Sequence, residues 1–564
     1  MNTRTFFVIL LTMLALLLYM EWQKEQFSPP QTNTSASTGA IQSDSSGNGS
    51  GPSPDRSADD LPDLPSIVDQ TANETQTPAP QMSASRRIEV STDVLSVDID
   101  ANGGTLVDLR LKDYPVSVDQ PNTPFTLLIE ALPELYVAQA GLIGAGVPAP
   151  NHTTMWQFDA DRYTLADGQD QIEVPLYWAE DGIEVVATWT FYRGDYRVDL
   201  DLEVINNSLE QWTGARYVQL QRTEPDFSDS GPAFTNPERF SYNGAAVFEP
   251  GQGFQKFGYG DIRDRPYNND FANGWAAMVE HYFLAAWIPP NEQVHQYSTR
   301  FVDRNRLPRY VVSATSPQVS VEPGERHRFS AKLYAGPKLQ NRLKEIAPGL
   351  ELTVDYRWFR VISQPLFWVL DKLHDVLNHW GWSIVALTLL IKLIFFKLTE
   401  AQFRSMGKMR KLQPRIQQLK ERFGDDRQKF GQAMMDIYKK EKVNPLGGCL
   451  PVLVQIPIFI SLYWVLLESV ELRQTAFLWV PDLSRPDPYF ILPVLNGIFM
   501  IATQRLMPTA GMDPLQAKIM MWLPVVFAFM FALFPAGLVL YWATNAGVSL
   551  AQQWVILKRI EKEG

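Results

Sequence analysis

A lysine stands inside one of the most apolar stretches of the chain. Lys392 interrupts the run from Ile384 to Phe396, which is otherwise broken only by Thr388. One helical turn separates the two, so they share a face. A lysine deep in a membrane span costs roughly 2.5 to 3.5 kcal/mol, so it needs a partner, water or a route to the interface. Two readings stay open. Lys392 is four residues from the end of the run, about 6 Å along a helix, a reach that permits snorkelling to headgroup phosphates. Alternatively it faces a wet cavity shared with other polar side chains. The candidates are Gln455, Asn496, Thr503 and Gln504, then Tyr541, Asn545, Ser549 and Gln552 at i, i+4, i+8 and i+11. No acidic residue lies inside any of these apolar runs. The second reading therefore gives an unpaired cation suited to holding something negative for a short time.

The elements that position these residues read as membrane spans. Five runs, Trp380 to Phe396, Cys449 to Leu467, Tyr489 to Gln504, Ile519 to Phe534 and Leu538 to Leu557, follow a first run at Phe6 to Met20. Several are short for a hydrocarbon core of about 30 Å, which implies local thinning of the bilayer. The first run follows Arg4 and ends at Tyr19-Met20-Glu21-Trp22 without a small-residue cleavage site, so residues 1–27 read as an uncleaved anchor. Six spans return the C-terminus to the starting side. Residues 397–442 carry 13 Lys and Arg against six acids, while 468–489 carry two against four, so the basic loop and both termini are placed in the cytoplasm.

The averages conceal this. Mean hydropathy is −0.15 and net charge −12, values typical of a soluble acidic protein. Residues 21–391 hold 28 basic and 49 acidic side chains, whereas the remainder holds 22 and 13. Such asymmetry points to segments in different compartments. Residues 28–85 are poor in large apolar side chains and read as a flexible tether. From 86 to 345 the period becomes two: Val198 to Val204 alternates without error, and Arg193-Gly194-Asp195 supplies hairpin chemistry. A large antiparallel β-sandwich outside the cytoplasm is expected. Residues 346–379 form an amphipathic helix with the stripe Phe359, Ile362, Leu366, Phe367, Leu370 and Leu373, placed at the membrane surface by its position before a span; packing at the edge of the sandwich fits the periodicity equally well.

Residues 400–443 carry an apolar stripe on each of two helices around Gly424-Asp425-Asp426, a cytoplasmic hairpin with a bend or helix start at Pro414. Its outward charges are Arg404, Lys408, Arg410, Lys411, Arg415, Lys420, Arg422, Arg427, Lys429, Lys439 and Lys440. They hold the loop inside, or they also dock an anionic partner, lipid or RNA. One cysteine, Cys449, excludes an intramolecular disulfide and cysteine-based metal or redox centres. With no GxxxxGK[ST] loop, neither nucleotide hydrolysis nor another enzymatic activity is expected, and no cofactor or metal.

Asn444-Pro445-Leu-Gly447-Gly448-Cys-Leu-Pro451 through Gln455 and Phe459, a cytoplasmic turn entering a span, combines with Phe534-Pro-Ala-Gly-Leu-Val-Leu-Tyr541-Trp542 near the end. Together they closely resemble the YidC membrane protein insertases, and Leu352 to Tyr356, Ser363 to Phe367 and Gly274-Trp-Ala-Ala extend the likeness outward. The resemblance implies a multi-domain inner-membrane protein: an all-α polytopic core of six spans, of which 380–564 supplies five, plus a periplasmic antiparallel β-supersandwich like that of sugar mutarotases. It implies insertion of nascent membrane proteins, alone or with the Sec translocon and its accessory components. The groove would be hydrophilic and open to the cytoplasm, lined by Lys392, Thr388, Tyr541, Trp542 and the polar residues above. The hairpin would meet the ribosome and signal recognition machinery, with the phospholipid bilayer as a further partner and no specific nucleic-acid sequence. Lys392 stands where many members have arginine, keeping charge but losing the bidentate fork. Lys397 stands where relatives often have proline, which implies a straighter entry into the hairpin. A solute transporter or channel with an anion site at Lys392 is the alternative; a membrane-anchored sugar enzyme is a weaker one, because a scaffold confers no activity.

Overall fold

The computed structural model describes residues 61–62, 87–227, 241–304, 307–423, 426–441, 450–506 and 514–562. The anchor 1–27, nearly all of the tether 28–85, and the turn residues Pro445, Gly447 and Gly448 lie outside them. Of the tether, Leu61 and Pro62 are described: Pro62 is buried, and the Leu61 carbonyl accepts a hydrogen bond from Arg300 Nη1 at 2.5 Å.

The alternating segments form two large sheets, one of eleven strands and one of nine among the described residues. In the strand Arg197–Asn206, Val198, Leu200, Leu202 and Val204 are buried while Asp199, Asp201 and Glu203 face outward. This strand pairs antiparallel with Ile183–Tyr192 through the Arg193-Gly194-Asp195 turn, where Gly194 takes φ +64°. A left-handed backbone there favours glycine, and Asp93 accepts the Gly194 N–H at 2.9 Å. Strand pairing is antiparallel with one exception: Arg87–Ser91 and Arg162–Thr164 run parallel at the sheet edge. Inner faces of the sheets meet over Trp189, Trp212, Trp275 and Trp287, all fully buried. Polar ties cross the core. Trp287 Nε1 donates to the Gln219 carbonyl of the opposite sheet at 3.1 Å, and Tyr136 Oη donates to the Met278 carbonyl at 3.1 Å.

Helices α1 (Tyr259–Asp264) and α2 (Gln340–Ile346) flank the sandwich; nine longer ones follow among the described residues. They are α3 (Arg360–Leu377), α4 (Trp380–Ile394), α5 (Phe396–Lys411), α6 (Gln413–Phe423), α7 (Arg427–Lys440), α8 (Leu450–Glu468), α9 (Ile491–Arg505), α10 (Pro514–Phe531) and α11 (Ala536–Lys562). The apolar stripe of α3 packs inward, with Phe367 and Leu370 buried. Its outward apolar face is a different set: Val361, Trp368 and Val376, with Trp358 just before the helix. Asn378 in the left-handed region at φ +50° ends α3, and His379 Nδ1 caps α4 by accepting the Gly381 N–H at 3.1 Å.

Two expectations are corrected here. The second expected span does not run straight into the hairpin: α4 and α5 meet at Phe395 with a bend of 64°, even though Lys397 replaces proline. The hairpin proper is α6 and α7, because α5 turns at the bend to pack on α11 with Phe403 buried. Pro414 sits in the first turn of α6, where its missing N–H has no helical partner to lose. Leu412 and Ile416 pack with Met409, Phe430, Ile437 and Tyr438 between the two helices. Among the described residues, no single helix is both long and apolar enough to cross a membrane; α4 and α5 pass that test as a bent pair.

The sandwich is tied to the end of α8 by buried polar contacts. Lys338 Nζ lies 3.4 Å from Glu468 Oε2, with the two side chains 2% and 1% exposed. Ser241 Oγ donates to the other Glu468 oxygen at 2.8 Å, and Lys338 also donates to the Thr353 carbonyl at 3.2 Å. Burial pulls Lys338 below the ordinary lysine range, while the Glu468 carboxylate opposes that shift. His281 Nε2 donates to the Leu467 carbonyl at 3.0 Å; burial and the Lys338 charge push this ring down to about 3, so it stays neutral. Arg473, between α8 and α9, donates to the Val116 carbonyl at 3.1 Å and lies over the Phe283 ring.

Trp287→Ala should cost about 3 to 5 kcal/mol, read as a lowered midpoint of the sandwich transition in thermal unfolding of the full chain. Lys338→Met alone should cost about 3 to 5 kcal/mol, because it strands a buried carboxylate. Lys338→Met combined with Glu468→Leu should recover most of that loss in the same measurement, and a simple sum of the single effects would contradict the pairing.

Candidate functional site

Lys392 is 5% exposed, and its Nζ donates to Ser549 Oγ at 2.7 Å, joining α4 to α11. Ser549 in turn donates to the Asn545 carbonyl at 2.7 Å. Among the described residues Lys392 forms no ion pair. The side chain therefore turns into the helix cluster instead of snorkelling out, and the apolar neighbours take the outside: Leu393 is 71% and Ile394 67% exposed. Helical spacing produces this division, since residues 388 and 392 lie on one face and 389, 390, 393 and 394 on the others. Thr388 is buried one turn away and donates to the Ile384 carbonyl at 2.7 Å, so its hydroxyl is satisfied without a partner helix.

The other residues anticipated from sequence fall into two groups. Tyr541 and Trp542 are buried where α8, α10 and α11 converge. Trp542 stacks on Phe459 at 5.6 Å and meets Phe531 at 4.0 Å; Tyr541 lies 6.3 Å from Phe459. Asn545, Ser549 and Gln552 continue the α11 stripe in half-buried positions, and Gln552 Oε1 is buried without a hydrogen-bond partner. Gln455 and Thr503 are half-buried on α8 and α9. Asn496 is buried on α9, and its Nδ2 meets Met500 Sδ at 3.8 Å, a contact within its own helix. Gln504 donates to the Met520 carbonyl of α10. Among these residues Ser549 supplies the hydrogen bond to Lys392. Gly547 helps α11 approach α9, because a Cβ there would stand 3.1 Å from the Phe499 ring.

The cluster around Trp542 includes side chains that polarity did not single out. Phe459 and Tyr463 lie four residues apart on α8, and Phe527, Phe531 and Phe534 recur at four and three. That periodicity was the signal available for a shared face. On the α6–α7 hairpin and α5, Arg404, Lys408, Lys411, Arg415, Lys420, Arg422, Lys429, Lys439 and Lys440 are exposed. Arg410 lies on α5 and Arg427 opens α7. Some of these charges are engaged locally, Arg415 with Glu441 at 2.6 Å and Arg404 with Glu400 at 3.6 Å. Surface pairs of this kind contribute about 0 to 1 kcal/mol, so the basic field is little reduced.

This arrangement provides a buried cation held by a hydroxyl, two turns along α11 from an aromatic cluster, with apolar side chains of α4 outward. Among the described residues, no group of His, Cys, Asp and Glu side chains has the geometry to hold a metal.

Comparison with known proteins now adds identity. The family described as the YidC periplasmic domain matches residues 87–369, and the family described as 60Kd inner membrane protein matches residues 372–563. The membrane protein insertase YidC of Methylococcus capsulatus is 48% identical over 509 residues, covering 90% of this chain and 92% of that protein. Its counterpart from Nitrosococcus oceani is 43% identical over 99% of each. A crystal structure of an active YidC insertase with its first transmembrane domain resolved covers 83% of this chain and 92% of its own, at 20% identity and TM-score 0.37. By two matching domains and relatives aligned over nearly its whole length, the chain belongs to the family of YidC membrane protein insertases.

Proposed function

We propose that the chain inserts spans of nascent membrane proteins through a groove whose working charge is Lys392. It is an inner-membrane insertase with a periplasmic domain, not an enzyme. The single observation that carries the groove reading is the buried Lys392, hydrogen-bonded to Ser549 and without an ion pair among the described residues. A cation placed so attracts the acidic, outward-bound tail of a substrate and binds it loosely enough to let it go. Thr388, Gln455, Asn496, Thr503, Asn545, Ser549 and Gln552 supply polar lining, and Tyr541 and Trp542 form the wall against which the substrate helix slides.

In this reading, α4, α8, α9, α10 and α11 cross the bilayer together with residues 1–27, six spans in all, with both termini cytoplasmic. Helices α4 and α9, of 15 residues each, are about 22 Å long against a core of about 30 Å, so the bilayer thins around them. The exposed Trp522, Val526 and Phe529 of α10 and Leu393 of α4 suit the lipid side. Thinning and the groove lower the barrier for a polar tail from both ends. Burial of the substrate's own helix completes the step, aided for acidic tails by the membrane potential at about 2.3 kcal/mol per charge per 100 mV. The outward set Trp358, Val361, Trp368 and Val376 seats α3 at the membrane surface. The α6–α7 hairpin receives the ribosome and signal recognition machinery through its basic face, and the Sec translocon works beside the same groove.

In proteoliposomes, Lys392→Arg should support insertion of an acidic-tailed single-span substrate. Lys392→Glu should lower it about tenfold or more, since a charge-assisted hydrogen bond at a buried site is worth about 1.5 to 3 kcal/mol. Equal activity of the two variants would remove the counter-charge role. Deleting residues 413–441 should abolish ribosome cosedimentation while leaving insertion of a post-translational substrate largely intact; unchanged cosedimentation would reduce the hairpin to a topogenic loop.

A further inference from the structure

The periplasmic sandwich holds a second buried cation, remote from the groove. Arg216 lies on the strand Trp212–Thr223 of the eleven-stranded sheet and is 1% exposed. Its side chain reaches the last strand of the opposite sheet, where Nη1 donates to the Ser330 carbonyl at 3.0 Å. Its Nη2 is buried and has no hydrogen-bond partner, and among the described residues Arg216 makes no ion pair. A cavity of about 110 Å³ adjoins it, lined also by Gln293, Ser316, His327, Arg328 and Ser330, with no carboxylate in its wall.

Charge on every side points the same way. Burial lowers Arg216 to about 10, and the one titratable group beside it that favours its charge is the Tyr297 phenol. His295 is held neutral: burial and Arg216 push it down to about 4, and its Nδ1 donates to the Gln293 carbonyl at 2.9 Å. His327 is likewise lowered by burial. Acids on the strand paired with the Ser330 strand are engaged elsewhere, Glu203 by Arg326 and Arg328 and Asp201 by the Ser330 hydroxyl. An uncompensated buried guanidinium is costly, and a small anion beside Nη2 offsets that cost.

We propose that this cavity is a binding site for a small oxyanion of phosphate-type chemistry, held by Arg216 and reached past Arg328. Its size supports the assignment: about 110 Å³ is well below the roughly 300 to 1,000 Å³ of ordinary small-molecule pockets, which excludes a sugar or nucleotide. Its position favours a dissolved ion. Eight residues of extended strand separate Ser330 from Lys338 at the helical junction, about 26 Å, too far for a headgroup of the same bilayer. An occupant bridges the two sheets and so stabilises the sandwich, independently of the groove.

The test uses the full chain in detergent. Equilibrium dialysis measures binding of inorganic phosphate and, separately, of glycerophosphoglycerol as a soluble headgroup probe. Saturable phosphate binding is expected, weakened at least tenfold by Arg216→Gln. Because that variant alters a buried strand, the exposed loop residue gives an independent arm: Gln293→Glu should weaken binding and Gln293→Lys strengthen it, each about threefold, without changing the fold. Tighter binding of phosphate than of glycerophosphoglycerol identifies a free ion as the occupant; tighter binding of glycerophosphoglycerol, which is too large for a cavity of about 110 Å³, would overturn the assignment. No saturable binding of either probe, or binding indifferent to both Gln293 variants, would overturn it.

Discussion

A positive charge inside an apolar helix cluster, with no carboxylate to meet it among the described residues, constrains the arrangement of everything around it. A buried lysine needs a polar partner, and the contact of Lys392 with Ser549 requires α4 and α11 to lie side by side. Helix α11 is the longest helix among the described residues, 27 residues, and it packs on α4, α5, α8 and α9. Its upper part, Tyr541 and Trp542, gathers aromatic side chains from α8 and α10. One turn further on, the same face becomes amide and hydroxyl. Along this single helix the lining therefore passes from aromatic to polar within two turns.

The sandwich is not merely appended to this cluster. Lys338, Glu468, Ser241 and the His281–Leu467 contact form a buried polar knot at the end of α8, reinforced by Arg473. Such a knot contributes less to stability than to position, since desolvation offsets much of the ion-pair attraction. Its consequence is geometric: the sandwich fixes the outer end of α8, whose inner part carries Phe459 against Trp542. The bend of 64° at Phe395 does comparable work at the other end, turning α5 away from α4 and toward α11.

Much of this was legible in the sequence where one residue's neighbours along the chain decide its environment. The strand Arg197–Asn206 follows its alternation residue by residue, and the turn at Gly194 stands where its residue types call for one. The hairpin stripe is equally plain in Leu412, Ile416, Phe430 and Ile437. The α3 stripe was visible too, but not what it packs against: amphipathicity specifies that a face is covered, and lipid and protein satisfy it alike. The bend between α4 and α5 left no mark, because the expected signal was a proline and none is present.

The sequence by itself determined which residues are apolar, which side of each helix they occupy, and that Lys392 has no acid within any apolar run. Those properties depend on local spacing and composition, while the family resemblance rests on the motifs from Asn444 to Phe459 and from Phe534 to Trp542. Only the tertiary structure decided that Lys392 meets Ser549 and not Asn496 or Gln455, that Trp542 sits among Phe459, Phe531 and Phe534, and that Glu468 belongs to Lys338, 130 residues earlier. Contacts of that range are set by how helices and sheets close on one another. Many partners share the same residue type and depth, and packing alone chooses between them.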